Sequence, residues 1–175
     1  MENERYPIGQ FLCPKVVSKE NVQGWIEELK TFPQKLKESV GNLEDKALSY
    51  TYRENSWTIR QLVHHLVDSH MNSYIRFKLA LTEDQPTIKP YQEDKWAELV
   101  DSTMPIMVSL TLLESLHKRW TCLLETLTDE QLKRTFIHPE SGAVSLEKNI
   151  GIYAWHGNHH LAHIHQALKR AGDFS

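Results

Sequence analysis

The chain has 175 residues, 40% hydrophobic and 25% charged, with a formal net charge of -3. That length and balance fit one soluble globular domain over 1–175 with a sizeable core. They exclude a basic nucleic-acid footprint, and no stretch approaches the about 18 apolar residues of a membrane span. Cys13 and Cys122 are too few for a disulfide framework or a Cys-rich zinc site. The stretch MENERYPIGQFL lacks the apolar core of a signal peptide, so a reducing cytoplasm with free thiols is the expected compartment.

Residues 1 to 17 read as irregular, broken by Pro7, Gly9 and Pro14. Ser18 is placed to cap a first helix carrying Val22, Trp25, Ile26 and Leu29, with Pro33 as a kink before Leu36, Val40 and Leu43. Residues 49 to 55, SYTYREN, read as extended. A second helix starts at Ser56 to Thr58 and runs to about Thr82. Its apolar face holds Ile59, Leu62, Val63, Leu66, His70, Tyr74 and Phe77. A loop with Pro86 and Pro90 leads to a short helix at Asp94 to Leu99. The third long helix covers Ile106 to Leu127, with a stripe of Leu110, Leu113, Leu116, Trp120 and Leu124. Thr128 opens another short helical turn. Thr135 to His138 and Ala143 to Val144, around PESG, suggest a small hairpin. The fourth long helix runs from Ser145 to Ala171. Four long helices with long connections predict an all-α four-helix bundle.

Five of the ten histidines fall in WHGNHHLAHIHQ, Trp155 to Gln166. On a helix, His159 and His163 lie one turn apart, and His156 and His160 make an equivalent, slightly rotated pair. Such a pair lets two imidazoles reach one ion. In a run this rich in histidine some i, i+4 pair is almost guaranteed, so a solvated face explains the run as well as a metal site does. The glutamate of HExxH is missing. A third ligand would come from VHHLVDSHMN on the second helix. Periodicity points to His70, near the centre of the apolar face, where a hydrogen-bonded core histidine is the commoner outcome. His65, Ser69, Asn72 and Arg76 form a separate polar stripe, fit to line an internal pocket. His138 and His165 read as exposed.

SWTIRQLVHHLVDSHMNSYIRFKLAL followed by YAWHGNHHLAHI resembles the DinB/YfiT-like family, and within it the YfiT branch of metal-dependent hydrolases from bacilli. IKPY at Ile88 to Tyr91 and LHKRWT at Leu116 to Thr121 extend the resemblance over nearly the whole chain. It implies a four-helix bundle with one divalent metal, zinc by usual assignment and nickel as an alternative. By the same resemblance the ligands are His65, from the His-Leu pair, and His159 and His163, from the His-x-x-x-His of the last helix. Three ligands leave a coordination position for water and hence hydrolysis of a small-molecule substrate. The same opening would accept a low-molecular-weight thiol, making the chain a bacillithiol S-transferase. A non-catalytic metal-binding bundle is the third alternative, and a homodimer is the assembly the resemblance implies. No general base stands out: His64 and Asp68 flank His65 on other faces of the helix. His160 could orient a ligand, and Asn72 and Arg76 could meet an anionic substrate.

Overall fold

The computed structural model describes residues 2–172, so the ends of the expected 1–175 domain lie outside it. A single helical turn, α1 (Glu2–Arg5), precedes the irregular stretch expected over the first seventeen residues. The first long helix, α2 (Lys19–Val40), begins where the sequence predicts: Ser18 Oγ accepts from the Asn21 N–H and the Asn21 side chain accepts from the Ser18 N–H. Pro33 lies inside α2 without ending it. After α3 (Asp45–Leu48) the SYTYREN segment makes a bridge from Thr51 to Thr58. Thr58 then caps α4 (Ile59–Thr82) with a reciprocal Gln61 bond.

The segment 83–105 holds α5 (Glu93–Trp96) and a 3-10 turn at Val100–Thr103, in place of one helix over Asp94 to Leu99. Helix α6 (Ile106–Leu124) stops three residues short of Leu127. Helix α7 (Asp129–Leu132) leads into the hairpin β1 (Thr135–His138) and β2 (Gly142–Ser145), antiparallel with Phe136 opposite Val144. Gly142 at φ +75° makes the turn that PESG signals. The last helix is α8 (Leu146–Gly172).

The four long helices form a bundle in which α2 and α4 each pack against both α6 and α8. Two apolar clusters fill it. One gathers Phe32, Leu36, Val40, Ile59, Leu62, Leu66, Leu113 and Ile164; the other gathers Val22, Leu29, Phe77, Trp120, Ile150 and Ala154. Cluster membership fixes direction: α4 and α6 run from the first cluster to the second, while α2 and α8 run back. Helices α4 and α6 are therefore neighbours running the same way, and the segment 83–105 is the return path this requires. Between the clusters lies a buried polar layer. It comprises His65, Ser69, His70 and Ser73 of α4, His117 and Thr121 of α6, and Asn149, His159 and His163 of α8. Among the described residues no helix is long and apolar enough to cross a membrane.

Candidate metal centre

The polar layer concentrates imidazoles where α4 faces α8. His65 of α4 lies with His156 and His160 of α8, one ligand atom from each, all within 4.8 Å of one another. His65 Nε2 and His156 Nε2 are 3.4 Å apart. His156 and His160 sit one turn apart with ring centroids 4.6 Å from each other, and the His160 ring is 4.9 Å from that of His65. Trp57, just ahead of α4, packs against His65 with centroids at 4.6 Å. Burial drives the His65 pKa down to about 4. His156 and His160 are lowered well below the ordinary range by burial, then by their imidazole neighbours. No carboxylate belongs to the group, so all three rings are neutral near pH 7.

The resemblance implied His65, His159 and His163; the structure brings His65 together with the other pair. Helix register is the reason. At about 100° per residue, Tyr153, His156 and His160 share the side of α8 that meets α4, and the His159/His163 pair is rotated about 60° from the His156/His160 pair around the helix. Tyr153 Oη accordingly meets Ser69 Oγ at 3.3 Å. His159 instead stacks on Trp155 at 4.5 Å and leaves its Nδ1 without a hydrogen-bond partner among the described residues. His163 stacks on Tyr52 at 3.9 Å and its Nε2 donates to the Arg5 carbonyl at 3.2 Å. His159, His160 and His163 form a second group within 4.8 Å, sharing His160 with the first.

Other sequence candidates take humbler places. His64 is a satisfied core histidine: its Nε2–H donates to Met104 O at 3.0 Å and Ser109 Oγ–H donates to its Nδ1 at 2.7 Å. Asn72 donates to the Asp68 carbonyl of its own helix. His165 is exposed and pairs with Ser39 Oγ. His70 is fully buried and bonded to two other histidines, His156 at 3.2 Å and His117 at 2.8 Å. The sequence reading passed over His117. It falls four residues after Leu113 and three before Trp120, so the apolar period itself places it inside, where Leu116 was expected; Leu116 is only half-buried.

Three neutral imidazoles without thiolate or carboxylate suit a borderline divalent ion such as zinc or nickel and disfavour magnesium or calcium. The His65 and His156 ring nitrogens face each other at 3.4 Å, close enough for both to reach one such ion. The fold and this cluster define a four-helix bundle with a histidine-lined site able to hold a metal.

The family model for the DinB superfamily matches residues 28–164, and the chain belongs to that family. A protein of Halalkalibacterium halodurans named "Putative metal-dependent hydrolase" is 56% identical over 97% of this chain and 99% of its own length. One of Bacillus cereus with the same name is 56% identical, covering 97% and 98%. The solved structure of YfiT from Bacillus subtilis, described as "a probable metal-dependent hydrolase with an unusual four-helix bundle topology", superposes with a TM-score of 0.94. It is 51% identical, covering 97% of this chain and 98% of that one. The mycothiol-dependent maleylpyruvate isomerase shares the fold at a TM-score of 0.61 and 12% identity, over 79% of this chain and 60% of its own.

Proposed function

We propose that this chain is a metal-dependent hydrolase whose metal is held by His65, His156 and His160. The observation that carries the reading is the convergence of three neutral imidazoles within 4.8 Å, His65 buried and His156 half-buried, from two helices fixed against each other by the bundle core. When bound, a divalent cation on three imidazoles supplies Lewis acidity, bringing the pKa of a water at its open position to about 7. The chain's own residues prepare for that. Burial keeps protons from competing for the imidazole lone pairs, and Trp57 covers one side of His65. Zinc is the metal we assign, and nickel would accept the same donors.

The test is elemental analysis of untagged protein purified without metal columns. About one metal per chain in the wild type, lost in His65→Ala, His156→Ala and His160→Ala, supports the site. Retention in His156→Ala with loss in His159→Ala would return the site to the other register. Loaded protein is then offered ester and amide substrates, with water or a small thiol as acceptor. Metal-dependent hydrolysis supports the reading, and thiol conjugation in its place would favour thiol-dependent chemistry, of which the mycothiol-dependent isomerase that shares the fold is one case.

For assembly we propose a homodimer. Its support is a run of half-exposed apolar side chains around the start of α6: Met104, Met107, Val108 and Leu112. Light scattering at twice the chain mass is the expected result, and the mass of a single chain would refute it.

A further inference from the structure

Three of the buried histidines outside the ligand set, His70, His117 and His163, are joined to it by two hydrogen-bond chains. The first begins at Pro33. A helical carbonyl accepts from the N–H four residues on, and for Leu29 that residue is Pro33, which has no N–H. The Leu29 carbonyl takes a hydrogen bond from His117 Nδ1 at 2.6 Å instead. A carbonyl only accepts, so the proton of neutral His117 is on Nδ1 and its Nε2 carries the lone pair. His70 Nδ1, 2.8 Å away, must then donate to that lone pair. His70 Nε2 in turn is an acceptor, and His156 Nδ1 donates to it at 3.2 Å. The lone pair of His156 is thereby placed on Nε2, the atom facing His65.

The second chain is shorter. His163 Nε2 donates to the Arg5 carbonyl at 3.2 Å, leaving its Nδ1 as acceptor. His160 Nδ1 lies 3.4 Å from it and donates. The lone pair of His160 is then on Nε2 as well. In this arrangement the His163 lone pair takes the His160 proton, which favours the first histidine group over the second as the metal site.

We propose that His70, His117 and His163 are positioning residues: two chains of imidazoles, each anchored on a backbone carbonyl, fix the tautomers of His156 and His160 so that both present Nε2 lone pairs to the site before any metal arrives. The proposal rests on the ligand set given above. Histidine ligands commonly donate their other N–H to a carboxylate or carbonyl. Here the carbonyls are out of direct reach and other histidines relay their polarity. His65 has no such relay in its Nε2 contact, so it donates to His156 Nε2 in the metal-free protein.

The experiment is long-range proton–nitrogen NMR of imidazole-labelled, chelator-treated protein near neutral pH. The expected pattern is Nδ1–H for His70, His117, His156 and His160, with Nε2–H for His163 and His65. Zinc loading should move the proton of His65 alone, to Nδ1. In His117→Phe the first chain loses its anchor. His156 should then gain Nε2–H population, and zinc affinity should fall roughly 10- to 100-fold. His156 or His160 as Nε2–H in the wild-type spectrum would overturn the proposal, with no variant needed. Unchanged tautomers and affinity in a folded His117→Phe would do so too. The tautomer pattern is read without metal, so it is separable from the ligand assignment. Wild type that binds no zinc yet shows the expected pattern sinks the metal reading and leaves the two chains standing.

Discussion

Gly157 lies so close to Phe32 that a Cβ on it would meet the ring at 3.0 Å. This contact sets how near α8 comes to α2 beside His156. Phe32 in turn stacks on His70, centroids 5.7 Å apart and planes within 17°. A side chain at 157 would therefore push on the ring that packs against the His156 partner. Gly157→Ala gains up to about 1 kcal/mol of helix propensity but overpacks a buried contact, which costs about 1–3 kcal/mol. The net expectation is a lower urea midpoint with an unchanged slope. Gly157→Leu should lose more stability and weaken metal binding as well. A midpoint at or above wild type for Gly157→Ala would show that the helices separate without cost.

Metal should stabilise the fold, because the ligands come from separate helices that only the folded chain brings together. A metal that binds the native state alone adds about 2.7 kcal/mol at a free concentration 100 times its Kd. Zinc should therefore raise the Tm of the wild type, and a chelator should reverse the shift. His156→Ala should show no shift. His159→Ala should respond as the wild type does, since His159 stacks on Trp155 outside the group of three. A zinc-insensitive His159→Ala beside a zinc-sensitive His156→Ala is the outcome that would reverse the register.

The bundle was legible in the sequence because its helices announce themselves locally. Ser18 and Thr58 cap α2 and α4 as their spacing suggests, and the apolar stripes of α2, α4 and α8 face the core. The family resemblance and the comparisons agree on this architecture. Which of the pairs His156/His160 and His159/His163 lies beside His65 was beyond the sequence. Both pairs have the same spacing, and only the rotation of α8 against α4 separates them. His117 was hidden for a different reason: its role depends on a carbonyl 88 positions away in the chain, freed by a proline whose effect reads locally as a kink.

His64 and His65 are adjacent in sequence and should behave oppositely. His64 is tied to Met104 O and Ser109 Oγ, linking α4 to the start of α6. His64→Ala leaves the Ser109 hydroxyl without that partner and opens a space, costing about 1–3 kcal/mol. Metal stoichiometry should stay at the wild-type value. His65→Ala should reverse the pattern, with metal lost and a smaller loss of metal-free stability. Denaturation and elemental analysis of the two variants side by side check both halves. Loss of metal in a folded His64→Ala would place His64 in the site.

The buried imidazoles should make the metal-free fold acid-sensitive. Burial lowers the His117 pKa to about 4, offset in part by its bond to the Leu29 carbonyl, and burial lowers His64 as well. An unfolded histidine titrates near 6.5. Between about pH 6.5 and 4 the unfolded chain therefore holds more protons than the folded one, so stability falls as pH falls through this window. The slope is at most about 1.4 kcal/mol per pH unit for each such histidine. Asp68 works the other way. Burial, with Asp101 nearby, raises its carboxyl to about 6, so the folded state holds its proton over the range where an unfolded aspartate has lost it. Asp68 is only half-buried, and one carboxyl does not outweigh several imidazoles. Urea midpoints should thus drop between about pH 7 and pH 5, and the drop should shrink in His117→Phe. A wild-type profile flat across that range would mean that these rings take up protons in place, and that the layer between the two apolar clusters is open to water.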